Sequence, residues 1–132
     1  MTTKIIYVIV SDETDTYLEQ ALISVYSARL HNHDAHIGIV IDNRTAETII
    51  NKREEINKYI DDTIVINIPG EHSKAYRSRF IKTNLRNLVK GDFLFIDTDT
   101  IICNPLNDID DISWDICAVR ELNKHNKFSD EE

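Results

Sequence analysis

Four short apolar runs, separated by three stretches of helical periodicity, set the strongest limit on how this chain can fold. The runs are residues 5–10, 36–41, 63–68 and 93–96, and they are rich in Ile, Val and Phe. The first, Ile5-Ile6-Tyr7-Val8-Ile9-Val10, carries no alternation of polar and apolar residues. A strand of that kind is buried on both faces, as parallel strands covered by helices are. Between the first two runs, Leu18, Ala21, Leu22, Val25 and Ala28 recur at helical spacing, and Thr16 with Glu19 fits a capping box. A second helical pattern starts at Thr45 with Ile49, Ile50, Ile56 and Ile60, its charged face of Lys52, Arg53, Glu54, Glu55 and Lys58 reading as solvated surface. Ser73 caps a third pattern, whose apolar face is Tyr76, Phe80, Ile81, Leu85 and Leu88 and whose other face holds Lys74, Arg77, Arg79, Lys82 and Arg86. The order βαβαβαβ predicts an α/β fold: three α/β/α layers around a mostly parallel, Rossmann-like sheet with right-handed crossovers.

The last run ends in chemistry. Phe93-Leu94-Phe95-Ile96 passes straight into Asp97-Thr98-Asp99. In extended chain, positions two apart point to the same side, so both carboxylates can converge on one object. Like charges held together repel unless a positive group sits between them. A divalent cation with hard oxygen ligands, Mn²⁺ or Mg²⁺, is the simplest such group. In parallel sheets ligands bind beyond the carboxyl ends of the strands, where the strand order reverses. The polar loop from Ser11 to Asp15 and the Asp97–Asp99 pair both follow such ends.

Composition narrows the partners. A formal charge of −8 disfavours nucleic acid or an anionic membrane as a partner of the whole surface. The 42% apolar and 29% charged content is that of an ordinary globular domain. No apolar run reaches signal-peptide or membrane-spanning length, so no transmembrane segment is expected. Cys103 and Cys117 lie in apolar, strand-like surroundings and in no metal-binding spacing, which predicts reduced, buried thiols in a cytoplasmic protein. Thr100 to Cys103 and Trp114 to Val119 read as further short strands, with Asn104-Pro105 turning the chain. One domain is expected over residues 1–122, and a loose polar tail over residues 123–132.

Three places resemble the nucleotide-sugar-binding half of GT-A-fold glycosyltransferases, those of glycosyltransferase family 8 above all. They are the first strand with Ser11-Asp12 and Tyr17, the helix Ser73-Lys74-Ala75-Tyr76-Arg77-Ser78-Arg79-Phe80-Ile81-Lys82, and the strand leading into Asp97-Thr98-Asp99-Thr100-Ile101. The likeness covers residues 4–120. It implies a metal-dependent enzyme that binds a nucleoside diphosphate sugar, a UDP-sugar first, and transfers the sugar to a carbohydrate, lipid or protein acceptor. It implies Asp97 and Asp99 as metal ligands, the first through water or the ribose and the second directly. Val10, Ser11, Asp12 and Tyr17 would meet base and ribose, Arg79 would pair with the diphosphate or hold Asp97, Lys82 would share the Arg79 face, and Thr98 would meet the donor beside Asp97. Family members continue into an acceptor-binding half with a late His that completes the metal site. His125 stands in the polar tail and is not assigned that role, so the likeness carries donor binding further than transfer.

Two other classes fit part of the pattern. One is a non-catalytic module that binds a nucleotide sugar without transferring or hydrolysing it. The other is a phosphatase, because Asp97-Thr98-Asp99-Thr100 also resembles the haloacid-dehalogenase motif, whose first Asp is a nucleophile. That motif normally ends the first strand of its domain, and little sequence follows Asp99 to supply the later Lys and acidic pair.

Overall fold

The computed structural model describes residues 1–118. Four strands, β1 (Lys4–Ile9), β2 (Ile37–Asp42), β3 (Asp62–Ile66) and β4 (Phe93–Ile96), form one sheet in the order β3-β2-β1-β4, every pair parallel. Helix α1 (Tyr17–His31) follows β1, the short α2 (Asn43–Glu47) and a 3-10 segment (Asn51–Lys58) follow β2, and α3 (Lys74–Leu88) follows β3. The α/β reading therefore holds, with helices on both faces of an all-parallel sheet.

The two-residue period of β1 divides the core. Ile5, Tyr7 and Ile9 pack with Leu18, Ala21, Val25 and Ala28 of α1 and with Ile56, while Ile6, Val8 and Val10 pack with Ile81, Leu85 and Val89 on the α3 side. All six residues of β2 are buried, as a strand covered on both faces requires.

Several expected local details differ. The Thr16–Glu19 capping box does not form: Thr16 makes no side-chain cap bond, and the Tyr17 N–H instead donates to Asp15 Oδ1 at 3.0 Å. Glu19 is drawn away to Arg53, whose Nε lies 2.7 Å from Glu19 Oε1. Arg53 is thus no solvated surface charge; its guanidinium also donates to the carbonyls of Asp12 and Asp15 at 2.9 and 3.0 Å. The second helix is broken in two. The β-branched run Thr48-Ile49-Ile50 is a poor helix former, and Asn51 adopts a φ of 55°, so the chain restarts as a 3-10 segment.

In α3 the Ser73 cap is present, its hydroxyl accepting from the Tyr76 N–H at 3.2 Å. The expected face is rotated, however. Tyr76 and Phe80 are exposed, stacked with His72 in a row outside the helix, and Arg77 is buried beside Ile81 and Leu85.

Residues 100–103 form no strand. Ile102 N–H is taken by Ser27 Oγ at 2.9 Å, which fixes this stretch against α1 rather than in the sheet. Residues 114–118 are likewise irregular and exposed, Trp114 at 79% and Ile116 at 89%; Val119 and the tail from residue 123 lie outside the described residues. The short 3-10 segment Asn107–Asp111 instead anchors the start of the chain, Asp110 accepting the N–H groups of Thr2 and Thr3 at 2.7 and 2.8 Å. Cys103 and Cys117 are free thiols, as expected, but exposed rather than buried. Among the described residues no helix is long and apolar enough to cross a membrane.

Candidate functional site

The strand order makes the site. From β1 the chain steps outward to β2 and β3, then returns on the opposite face through α3 to place β4 on the other side of β1. The order therefore reverses between β1 and β4, and the crevice beyond their carboxyl ends is where such sheets receive ligands. Val10, Ser11 and Asp12 continue from β1, and Asp97, Thr98 and Asp99 from β4. Both expected loops thus follow the carboxyl ends of neighbouring parallel strands.

The loop after β1 is tightly built. Asp15 accepts from the Ser11 hydroxyl at 2.6 Å and from the Asp12 N–H at 2.9 Å, and Asp12 accepts from the Thr14 N–H and hydroxyl at 2.8 and 2.7 Å. Lys74, in the first turn of α3, lies 2.8 Å from carboxylate oxygens of both Asp12 and Asp15 and 5.6 Å from the centre of the Tyr17 ring. The Lys74 ammonium, with the Thr14 hydroxyl, holds the Asp12 carboxyl well below its ordinary range. Burial pushes Asp15 up, but Lys74 and Ser11 outweigh it and leave that carboxyl below its usual 3.8 as well.

A folded-state value below the unfolded one adds stability that is full above pH 4 and is lost as pH falls through the folded value. Stability is therefore expected to fall as pH drops from about 4. In Asp15→Asn the urea midpoint should decline less steeply between about pH 5 and 3 than in the parent protein. A parallel decline in both proteins would count against this clamp.

The turn after β4 differs from the expectation. The strand stops at Ile96, and the Thr100 N–H and hydroxyl both return to the Asp97 carbonyl, at 3.3 and 2.7 Å. Asp97 and Asp99 thus belong to a hydrogen-bonded turn, so the same-side rule of extended chain does not apply to them. The positive group beside Asp97 is an ammonium: Lys82 Nζ lies 2.7 Å from Asp97 Oδ1 and 5.2 Å from the centre of the Phe95 ring. Arg79 is exposed on the flank of α3, and its guanidinium has no hydrogen-bond or ion-pair partner among the described residues. Thr98 is half-buried and Asp99 exposed.

Among the described residues no group of three or more His, Cys, Asp or Glu is arranged to hold a metal. The donor set still suits Mg²⁺ or Mn²⁺, which are bound through one or two carboxylates together with the phosphates of a ligand. Asp97 and Asp99 are the residues that would hold such an ion.

Beneath the crevice lies a network that periodicity did not reveal. Asp42, fully buried at the end of β2, is paired with Arg77 of α3 and accepts the Thr45 hydroxyl, while Thr45 Oγ1 accepts the Ser11 N–H at 2.9 Å. A buried cation on α3 thereby fixes the backbone where β1 enters its loop. The only signal in the sequence is Asp42 placed just after an apolar run, as Asp97 is. Neither protein-family models nor curated proteins yield a match to this sequence.

Proposed function

We propose that this chain is the donor-binding domain of a metal-dependent glycosyltransferase, taking a nucleoside diphosphate sugar, a UDP-sugar first. The observation that carries the reading is the reversal of strand order between β1 and β4, which supports a ligand site beyond the carboxyl ends of these two strands, where the Ser11–Asp12 loop and the Asp97–Asp99 turn follow them. Its charge supports a metal requirement. Asp12, Asp15, Asp97 and Asp99 outnumber the Lys74 and Lys82 ammonium groups that face them. A diphosphate entering alone meets net repulsion, and a divalent cation reverses the sign.

On this reading Asp97 and Asp99 hold the ion, which supplies Lewis-acid neutralisation of the leaving diphosphate. Val10, Ser11, Asp12 and Tyr17 border the base and ribose. Arg79, exposed on α3 and without an ion-pair partner among the described residues, and Lys82, once parted from Asp97, are the cations proposed for the phosphates. Transfer would cleave the glycosyl–oxygen bond through an oxocarbenium-like state. The acceptor is a carbohydrate, lipid or protein, and the setting is cytoplasmic, where the exposed thiols stay reduced.

Calorimetric titration of UDP and GDP, in Mn²⁺ and in EDTA, tests the reading. Binding is expected in Mn²⁺ and should be lost in EDTA. Asp99→Ala should lower the metal-dependent affinity by more than the about 10–100-fold that loss of even an outer partner costs a metal site. Equal binding in the mutant, or none by the parent protein, sinks the proposal. Product analysis with the bound sugar nucleotide then separates a transferase from a module that only binds.

A further inference from the structure

Helix α3 meets the carboxyl edge of the sheet with three cations, and each is paired with a carboxylate that follows a different strand. Lys74 holds Asp12 and Asp15 after β1, Arg77 holds Asp42 at the end of β2, and Lys82 holds Asp97 after β4. The three pairs differ in burial. Arg77 and Asp42 are 6% and 0% exposed and form a fixed support, whereas the Lys82 and Asp97 side chains are 40% and 56% exposed. An exposed lysine–carboxylate pair is worth little and exchanges readily. The ammonium is also a point charge on a flexible stem, able to swing without moving its helix.

From this we infer that Lys82 is an exchangeable counter-ion of Asp97, one that a metal displaces and that then passes to the ligand's phosphate. The inference rests on the donor-site reading and adds a coupling to it. While Lys82 occupies Asp97, the carboxylate is blunted as a metal ligand and the ammonium is unavailable to an anion. A divalent cation that takes Asp97 releases Lys82, and a diphosphate that takes Lys82 frees Asp97. Each ligand thereby strengthens the other through the same side chain, and linkage makes the gain equal in both directions. Lys74 is set apart from this role, because it spans two carboxylates at once, one of which, Asp15, is only 12% exposed.

The test is Lys82→Gln, with Lys82→Arg as the charge-retaining control. Mn²⁺ binding is followed by the electron paramagnetic resonance signal of the free ion, first without nucleotide and then with UDP. Without nucleotide, Lys82→Gln is expected to bind Mn²⁺ about two- to fivefold more tightly, since a competing exposed ion pair is removed. With Mn²⁺ present, its UDP affinity should fall about tenfold through loss of a charge-assisted contact. The factor by which Mn²⁺ enhances UDP binding should shrink accordingly, whereas Lys82→Arg, whose guanidinium keeps the charge and pairs with a carboxylate bidentately, should bind Mn²⁺ no more tightly than the parent protein.

Unchanged or weaker Mn²⁺ binding by Lys82→Gln, in a protein whose parent still binds UDP with Mn²⁺, overturns the exchange and leaves the donor site standing. If the parent protein shows no Mn²⁺-dependent UDP binding, the donor site fails and the exchange falls with it.

Discussion

Replacing Arg77 with alanine is expected to destabilise the fold by about 3–5 kcal/mol, because it strands a buried carboxylate. Asp42 is fully buried, and Arg77 is the only cation paired with it among the described residues. The Thr45 N–H and hydroxyl remain as donors to Asp42, but neither carries charge. Much of the cost is the penalty of the orphaned charge rather than the worth of the pair. The double substitution Asp42→Asn with Arg77→Met should therefore be far milder than Arg77→Ala alone. Urea midpoints for both variants decide the matter. A loss below about 1 kcal/mol for Arg77→Ala would show that Asp42 is not a buried anion. A domain of ordinary stability, about 5–15 kcal/mol, could lose a third or more of its margin to this change.

Tyr7→Ala should cost a similar amount, about 3–5 kcal/mol, by a different route. Tyr7 is fully buried at the centre of the α1-side core, where its ring lies among Ile5, Ile9, Ile39 and Val25 in one cluster. Its hydroxyl accepts from Ser24 Oγ at 3.2 Å, and Ser24 Oγ lies 3.3 Å from Thr100 Oγ1 in the turn after β4. Tyr7→Phe keeps the ring and leaves Ser24 with Thr100 as a partner, so it should cost only about 1 kcal/mol. The two variants separate packing from hydrogen bonding.

A second difference follows in alkali. Burial raises the Tyr7 hydroxyl above its ordinary 10.0, and the Ser24 bond offsets only part of that rise. Stability arising from a raised value is whole below pH 10 and is lost as pH climbs through the folded value. The urea midpoint of the parent protein should therefore fall more steeply above about pH 10 than that of Tyr7→Phe. Matching slopes would contradict the burial of that hydroxyl.

The strands were the most legible part of the sequence, because a short run buried on both faces needs no partner to be recognised. β1 and β2 read directly from runs rich in Ile and Val, interrupted only by Tyr7 and Gly38, and Ser73 read directly as a cap. Where two local solutions compete, sequence pattern could not choose. Asp15 outcompetes its neighbour Thr16 for the end of α1 only because Ser11, Asp12 and Lys74 also converge on it. The helical wheel of α3 is compatible with either Tyr76 and Phe80 or Arg77 facing inward; Asp42, on another strand, decides for Arg77. The stretches after β4 are apolar enough for strands, yet no neighbouring strand pairs with them among the described residues.

The alternation of elements was enough to put Asp12 and the Asp97–Asp99 turn after the carboxyl ends of two strands, which the structure makes neighbours; their contacts were less legible. The partners of those carboxylates, Lys74 and Lys82, come from a helix that packs across the sheet, and helical periodicity alone does not show which strand end each lysine reaches. The resemblance singles out Arg79 on α3 and gives no sign that Arg77 is the buried cation of that helix, while Arg79 stays in solvent.

The central position of β1 also governs the order in which the molecule can be assembled. Lys4 is in register with Phe93, so β1 gains its second neighbour only after nearly all the described chain has been made. Until then one row of its N–H and C=O groups has no strand partner, and closing so long a loop is slow. Docking of β4 completes the sheet. A nascent chain stopped short of residue 93 would thus expose a bare edge along β1.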